Sequence, residues 1–298
     1  MSRVFWVVTP LLAIALAGCT PSLPPSDDAV QEAQSSADTE EERIPEVAQS
    51  AAQEDQIEVA VVAKPPPTTA EEVAEHFFGL APSEWGLGIP GVLTEMDSDS
   101  VALTLDACGG PSGSGYDAAL IEGLIERNVP ATLFLNMRWI DSNPEVASEL
   151  ASNPLFEIGN HGSTHRPLTV TGRSAYGIDG TSSPLEAANE VRENHLRILE
   201  LTGKPPRFFR SGTAHYDDVG IQIVQTFGEE VLGFSVNGDA GATFDAATVR
   251  AQVSGAAPGS VIIAHMNKPG SGTAEGVLAG VDDLLSRGVR LTLVENPQ

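Results

Sequence analysis

Three histidines, an aspartate and an arginine supply the residue types from which this 298-residue sequence could assemble a hydrolytic site. His161 and His165 stand four residues apart in HGSTH. On a helical turn that spacing puts two imidazoles on one face, close enough to share a cation, and imidazole suits zinc, cobalt and other first-row divalent metals. Asp106 directly follows the apolar run VALTL and comes just before a Gly-Gly pair. A carboxylate held there can ligate a metal or act as general base toward a water beside one. His265 follows the run SVIIA, where it could protonate a leaving group while Arg210 or Asp239 sets orientation and pKa. Cys108 shares the stretch of Asp106, but no activating pattern accompanies it and it reads as packing. His195 fits the polar face of a helix and His215 a loop, so both have weaker claims on the site.

Those residues need a scaffold that gathers them. Seven short apolar runs have strand length: VALTL from Val101, ATLFL from Ala131, FEIG from Phe156, RFFR from Arg207, VLGFSV from Val231, SVIIA from Ser260 and RLTLV from Arg290. Helical stretches lie between them, for example PLEAANEVRENHLRILELTG from Pro184, which has proline in its first turn and glycine at its end. Strands alternating with helices predict parallel strands with helical crossovers, in a closed or nearly closed β/α barrel or a doubly wound open sheet. Either architecture binds ligands at the carboxyl ends of its strands. The polar residues at those ends are Asp106, Asn136, His161 with His165, Arg210, Asn237 with Asp239, and His265.

Upstream of the alternation the sequence changes character. Residues 1–18 hold one basic residue, Arg3, and an apolar stretch too short to span a bilayer, which predicts an export signal. Its end, Leu16-Ala17-Gly18-Cys19, resembles the lipobox of bacterial lipoproteins. That resemblance implies cleavage before Cys19 and an extracytoplasmic protein anchored to a bacterial membrane through lipidated Cys19. Residues 19–70 are rich in Pro, Ala, Ser and acids and predict a disordered tether, because they bury too little apolar area to offset chain entropy. A single catalytic domain is expected over 71–298, as a monomer. The net charge of -25 argues against nucleic acid as a partner and leaves a neutral glycan open.

The ordered set LTLDACGG, NHGSTH, FFRSGTAHYDD and IIAH resembles the polysaccharide deacetylase (NodB-like) domain, carbohydrate esterase family 4. The resemblance implies an α/β fold, a distorted barrel of seven β/α units, and removal of N- or O-acetyl groups from a sugar polymer with help from a divalent metal, often zinc. By position Asp106 is similar to the family's catalytic base, His161 and His165 to its metal-binding histidines, His265 to its catalytic acid and Arg210 to the arginine that positions the base. The family's first motif carries a second aspartate that ligates the metal, and here Ala107 stands in its place. Asp106 itself, Asp239, His215 or solvent is then the expected replacement. Two other readings stay open: a glycan-binding lipoprotein that has lost catalysis, and a hydrolase of small amides or ureides.

Overall fold

The computed structural model describes residues 69–295. The predicted signal, Cys19 and the tether up to residue 68 lie outside the described residues. In chain order the elements are α1 (Ala70–His76), β1 (Trp85–Gly86), β2 (Val92–Leu93), β3 (Val101–Ala107), α2 (Ala118–Glu126), β4 (Ala131–Leu135), α3 (Met137–Ser142), α4 (Pro144–Ser152), β5 (Phe156–Asn160) and α5 (Pro184–Thr202). They continue with β6 (Phe208–Phe209), β7 (Tyr216–Asp217), α6 (Asp218–Thr226), β8 (Glu230–Leu232), β9 (Val236–Asn237), α7 (Ala246–Ser254), β10 (Val261–His265), α8 (Thr273–Ser286) and β11 (Leu291–Thr292).

Nine strands form one curled parallel sheet in the order β2-β8-β6-β5-β4-β3-β10-β9, with β11 also on β3. This is the expected α/β architecture, a distorted half-barrel wrapped by helices. Strand β3 shows how the sheet sorts its faces. Leu103, Leu105 and Ala107 join the core under the helices, whereas Ala102 packs with Phe134, Phe208, Leu232 and Val261 on the other face. Because strand side chains alternate, Thr104 and Asp106 share the face of Ala102. Helix α5 starts and stops where its sequence directs: the Ser183 hydroxyl accepts from Glu186 N–H, proline occupies the first turn, and Gly203 ends it at φ 71°.

One predicted strand is corrected. VLGFSV is two strands: β8 pairs with β6 and β2, and β9 pairs with β10. Between them the carbonyls of Leu232 and Gly233 leave the ladder and accept from the Arg210 guanidinium, at 3.1 and 2.8 Å. The chain uses this break to cross from one part of the curled sheet to its far edge.

Candidate functional site

Parallel pairing brings the strand ends together. The register of β3 and β10 sets Asp106 beside His265, and that of β5 and β6 sets Asn160 beside Phe209, so His161 and Arg210 emerge as neighbours. Asp106, Cys108, His165 and His265 line one cleft of about 650 Å³, with Tyr176 and Asn267.

Arg210 is fully buried. Its Nη1 donates to Asp106 Oδ1 at 2.7 Å and to Thr104 Oγ1 at 2.9 Å, and its guanidinium carbon lies 4.2 Å from the centre of the Phe134 ring. Burial opposes ionisation of Asp106, but Arg210, then His161 and His265, outweigh it and hold the carboxyl below its ordinary range. Asp106 Oδ2 lies 3.7 Å from His161 Nε2.

Both imidazoles of HGSTH meet here, with ring centres 4.9 Å apart. The expected helical turn is corrected: residues 161–165 form a loop with Gly162 at φ 73° and His165 at φ 64°. A left-handed conformation is uncommon for a residue with a side chain, even for histidine, which takes it more readily than most, and costs energy that the surroundings must supply. Glu190 on α5 supplies much of it, accepting from the backbone N–H of Thr164 and Arg166 and from the hydroxyl of Ser163. Asn136 donates to the carbonyls of His161 and Gly162 from the opposite side, at 2.9 and 2.7 Å. At Gly162 a side chain is excluded, since a Cβ would lie 2.3 Å from Glu190 Oε1.

His161 Nδ1 donates to the Arg210 carbonyl at 2.9 Å, which leaves Nε2 as the free donor atom. That nitrogen and His165 Nε2 are buried with no hydrogen-bond partner. Unsatisfied buried nitrogens cost energy unless something absent from the polypeptide occupies them. One ligand atom each from Cys108, His161 and His165 lies within 4.8 Å of the others. This nitrogen and sulfur set fits zinc or cobalt in its chemistry.

His265 Nδ1 donates to Asp239 Oδ1 at 2.8 Å, and the same aspartate accepts from the His265 backbone N–H and the Thr273 hydroxyl. Burial works against the imidazolium, but the bond to Asp239 and the proximity of Cys108 raise His265 well above the ordinary histidine value.

The structure therefore brings Asp106, His161, His165, Arg210 and His265 to one mouth, and it corrects two readings. Cys108 lies at the site instead of in the packed core: burial resists its ionisation, yet the imidazoles of His161, His165 and His265 around it lower it well below the ordinary thiol range. His195 is buried on α5, not on a polar face, and pairs with Glu229 at 2.7 Å. Carrying the alternation of β3 one residue past its end was the signal for Cys108, since position 108 then returns to the side of Asp106.

Residues 94–232 match the sequence model of the polysaccharide deacetylase family, a span holding Asp106, Cys108, His161, His165 and Arg210 but not Asp239 or His265. No curated protein matches the chain. Among solved structures it is similar to a carbohydrate esterase family 4 pseudoenzyme from Bacillus anthracis, with TM-score 0.57 and 22% identity over 68% of this chain and 66% of that one. A family 4 carbohydrate esterase from Streptomyces lividans in complex with acetate matches at TM-score 0.55 and 20% identity, covering 67% of this chain and 94% of that one. A family 4 acetyl xylan esterase from Clostridium thermocellum in complex with a cobalt ion matches at 0.53 and 22%, covering 65% and 87%. The fold is thus that of the family 4 carbohydrate esterases.

Proposed function

We propose that this chain is a metal-dependent deacetylase that removes N- or O-acetyl groups from a cell-envelope or extracellular polysaccharide. The observation that carries the reading is a carboxylate, Asp106, held by Arg210 and an imidazole, His265, held by Asp239, facing one cleft beside two unpartnered imidazole nitrogens. A divalent cation held by His161 and His165, zinc or cobalt by the imidazole donors, would supply Lewis-acid polarisation of the acetyl carbonyl. Asp106 takes the proton of the attacking water on Oδ2, because Oδ1 is engaged by Arg210. His265 gives its Nε2 proton to the departing sugar nitrogen or oxygen, and Asp239 on Nδ1 fixes the ring for that transfer. Acid and base keep these states because their surroundings push the two pKa values apart.

The lipobox-like Leu16-Ala17-Gly18-Cys19 supports an extracytoplasmic enzyme anchored through lipidated Cys19, where a polymeric substrate would be met. The test is acetate release from acetylated chito- and xylo-oligosaccharides by the full chain, with chelator and then with zinc or cobalt restored. Release that chelator abolishes and metal restores is expected. No release under any metal would leave a glycan-binding lipoprotein, and turnover of small amides alone would leave a small-substrate hydrolase.

A further inference from the structure

We propose that Cys108, as a thiolate, is the third protein ligand of the metal, so that the centre is built from two imidazoles and one sulfur where the resemblance leads one to expect a carboxylate. The inference deepens the deacetylase reading and rests on its metal-binding part.

Geometry selects Cys108 over the alternatives. Ala107, at the position of the expected ligating aspartate, is turned into the core under the helices. The next residue swings back to the cleft, and Gly109 and Gly110, at φ 70° and 80°, fold the chain away immediately behind it. A Cβ at Gly109 would lie 2.7 Å from the Trp139 backbone nitrogen, so this turn is closed to other residues. The Cys108, His161 and His165 ligand atoms then lie within 4.8 Å of one another, and the cysteine is free of any disulfide.

Independent of the cysteine, His161 is 1% exposed and its Nε2 has no partner, which marks a ligand position that the polypeptide leaves open. Among the described residues the other expected replacements, Asp106, Asp239 and His215, fall outside this cluster of ligand atoms. Asp106 gives one oxygen to Arg210, and Asp239 is bonded to His265 and Thr273. Three protein ligands leave a fourth position for water or substrate, the arrangement of a catalytic zinc site. Thiolate also favours zinc or cobalt over magnesium and calcium.

Cobalt reports the sulfur directly, without reference to turnover. In full-length protein carrying Cys19→Ser, which leaves Cys108 as the one thiol of the sequence, cobalt titration of the metal-free protein should give a near-ultraviolet thiolate-to-cobalt charge-transfer band saturating at one equivalent. Cys108→Ser should remove the band and weaken zinc binding by at least about 100-fold, the upper end for residues that merely support a ligand. Cys108→Asp should restore binding, seen in the visible cobalt bands, without the charge-transfer band, and circular dichroism checks that each variant is folded. Visible cobalt bands lost in His161→Ala, with no charge-transfer band in the parent, would overturn the sulfur ligand and leave the deacetylase reading standing. Failure of the parent to bind cobalt or zinc at all would overturn both.

Discussion

Two of the histidine–carboxylate pairs among the described residues have nearly equal geometry, and their difference separates a site from a brace. His265 meets Asp239 at 2.8 Å and His195 meets Glu229 at 2.7 Å. Asp239 distributes its charge over His265 Nδ1 and N–H, the Thr273 hydroxyl and the Gly241 N–H, and it stays below the ordinary carboxyl range although it is buried. Glu229 receives His195 and Asn160 on one oxygen, its other oxygen has no partner, and burial pushes it up to about 7. The first pair therefore presents a charged imidazole to the cleft on a fixed anion. The second holds a proton between α5 and the residue before β8. A buried histidine beside an acid is not in itself a catalytic signature; the number of donors that fix the anion, and an open cleft on the far side of the ring, make the difference.

Replacing an acid by its amide at three positions grades that contrast. Asp106→Asn should have the largest effect. Loss of the base lowers kcat by about 10²–10⁴-fold. It also strips buried Arg210 of its counter-charge, at a cost of about 3–5 kcal/mol in urea unfolding. The charge-transfer band of cobalt should persist, because the ligands proposed are untouched. A folded Asp106→Asn protein that releases acetate at the parental rate would remove Asp106 from the mechanism.

Asp239→Asn comes next. The amide can keep the bond to His265 but not the charge behind it, so His265 should lose its proton at lower pH. The alkaline limb of the kcat/KM profile is expected to move to lower pH, and kcat to fall by about 10²-fold, the low end for a general acid. An unmoved alkaline limb would show that Asp239 does not hold the proton of His265, and the contrast with Glu229 would collapse.

Much of this was legible in the sequence because strand ends are punctuated by chemistry. Seven apolar runs and the polar residues after them were enough to expect parallel strands with helical crossovers, as a β/α barrel or a doubly wound sheet, and to put Asp106, His161, His165, Arg210 and His265 at the carboxyl ends of the strands. Where the reading fell short, the deciding interaction was nonlocal. The break in VLGFSV depends on carbonyls satisfied by Arg210, some twenty residues earlier. The loop that carries His165 is shaped by Glu190 on α5, which nothing in HGSTH announces. His195 has a helix-surface spacing but is sealed by Glu229, the residue before β8. Cys108 was within reach: counting by two from Asp106 returns it to the cleft, a local rule that weighed less than the absence of a familiar motif.

Glu229→Gln should have the smallest effect on catalysis and a distinct effect on stability. The ordinary carboxyl value is 4.5, and the folded value is about 7 because burial disfavours the charge more than His195 and Asn160 favour it. Between those values the folded state binds more protons than the unfolded state, so stability falls as pH rises across the window. The loss is on the order of 1–3 kcal/mol, since each tenfold difference in proton affinity between the two states is worth about 1.36 kcal/mol. Glutamine keeps an acceptor for His195 and Asn160 and carries no charge to bury, so its stability should stay flat over this window and exceed the parent above it, while acetate release is unchanged. Urea unfolding at pH values below and above the window checks this. A variant whose stability falls in parallel with the parent, or whose activity falls with it, would mean that Glu229 and Asp239 do the same job.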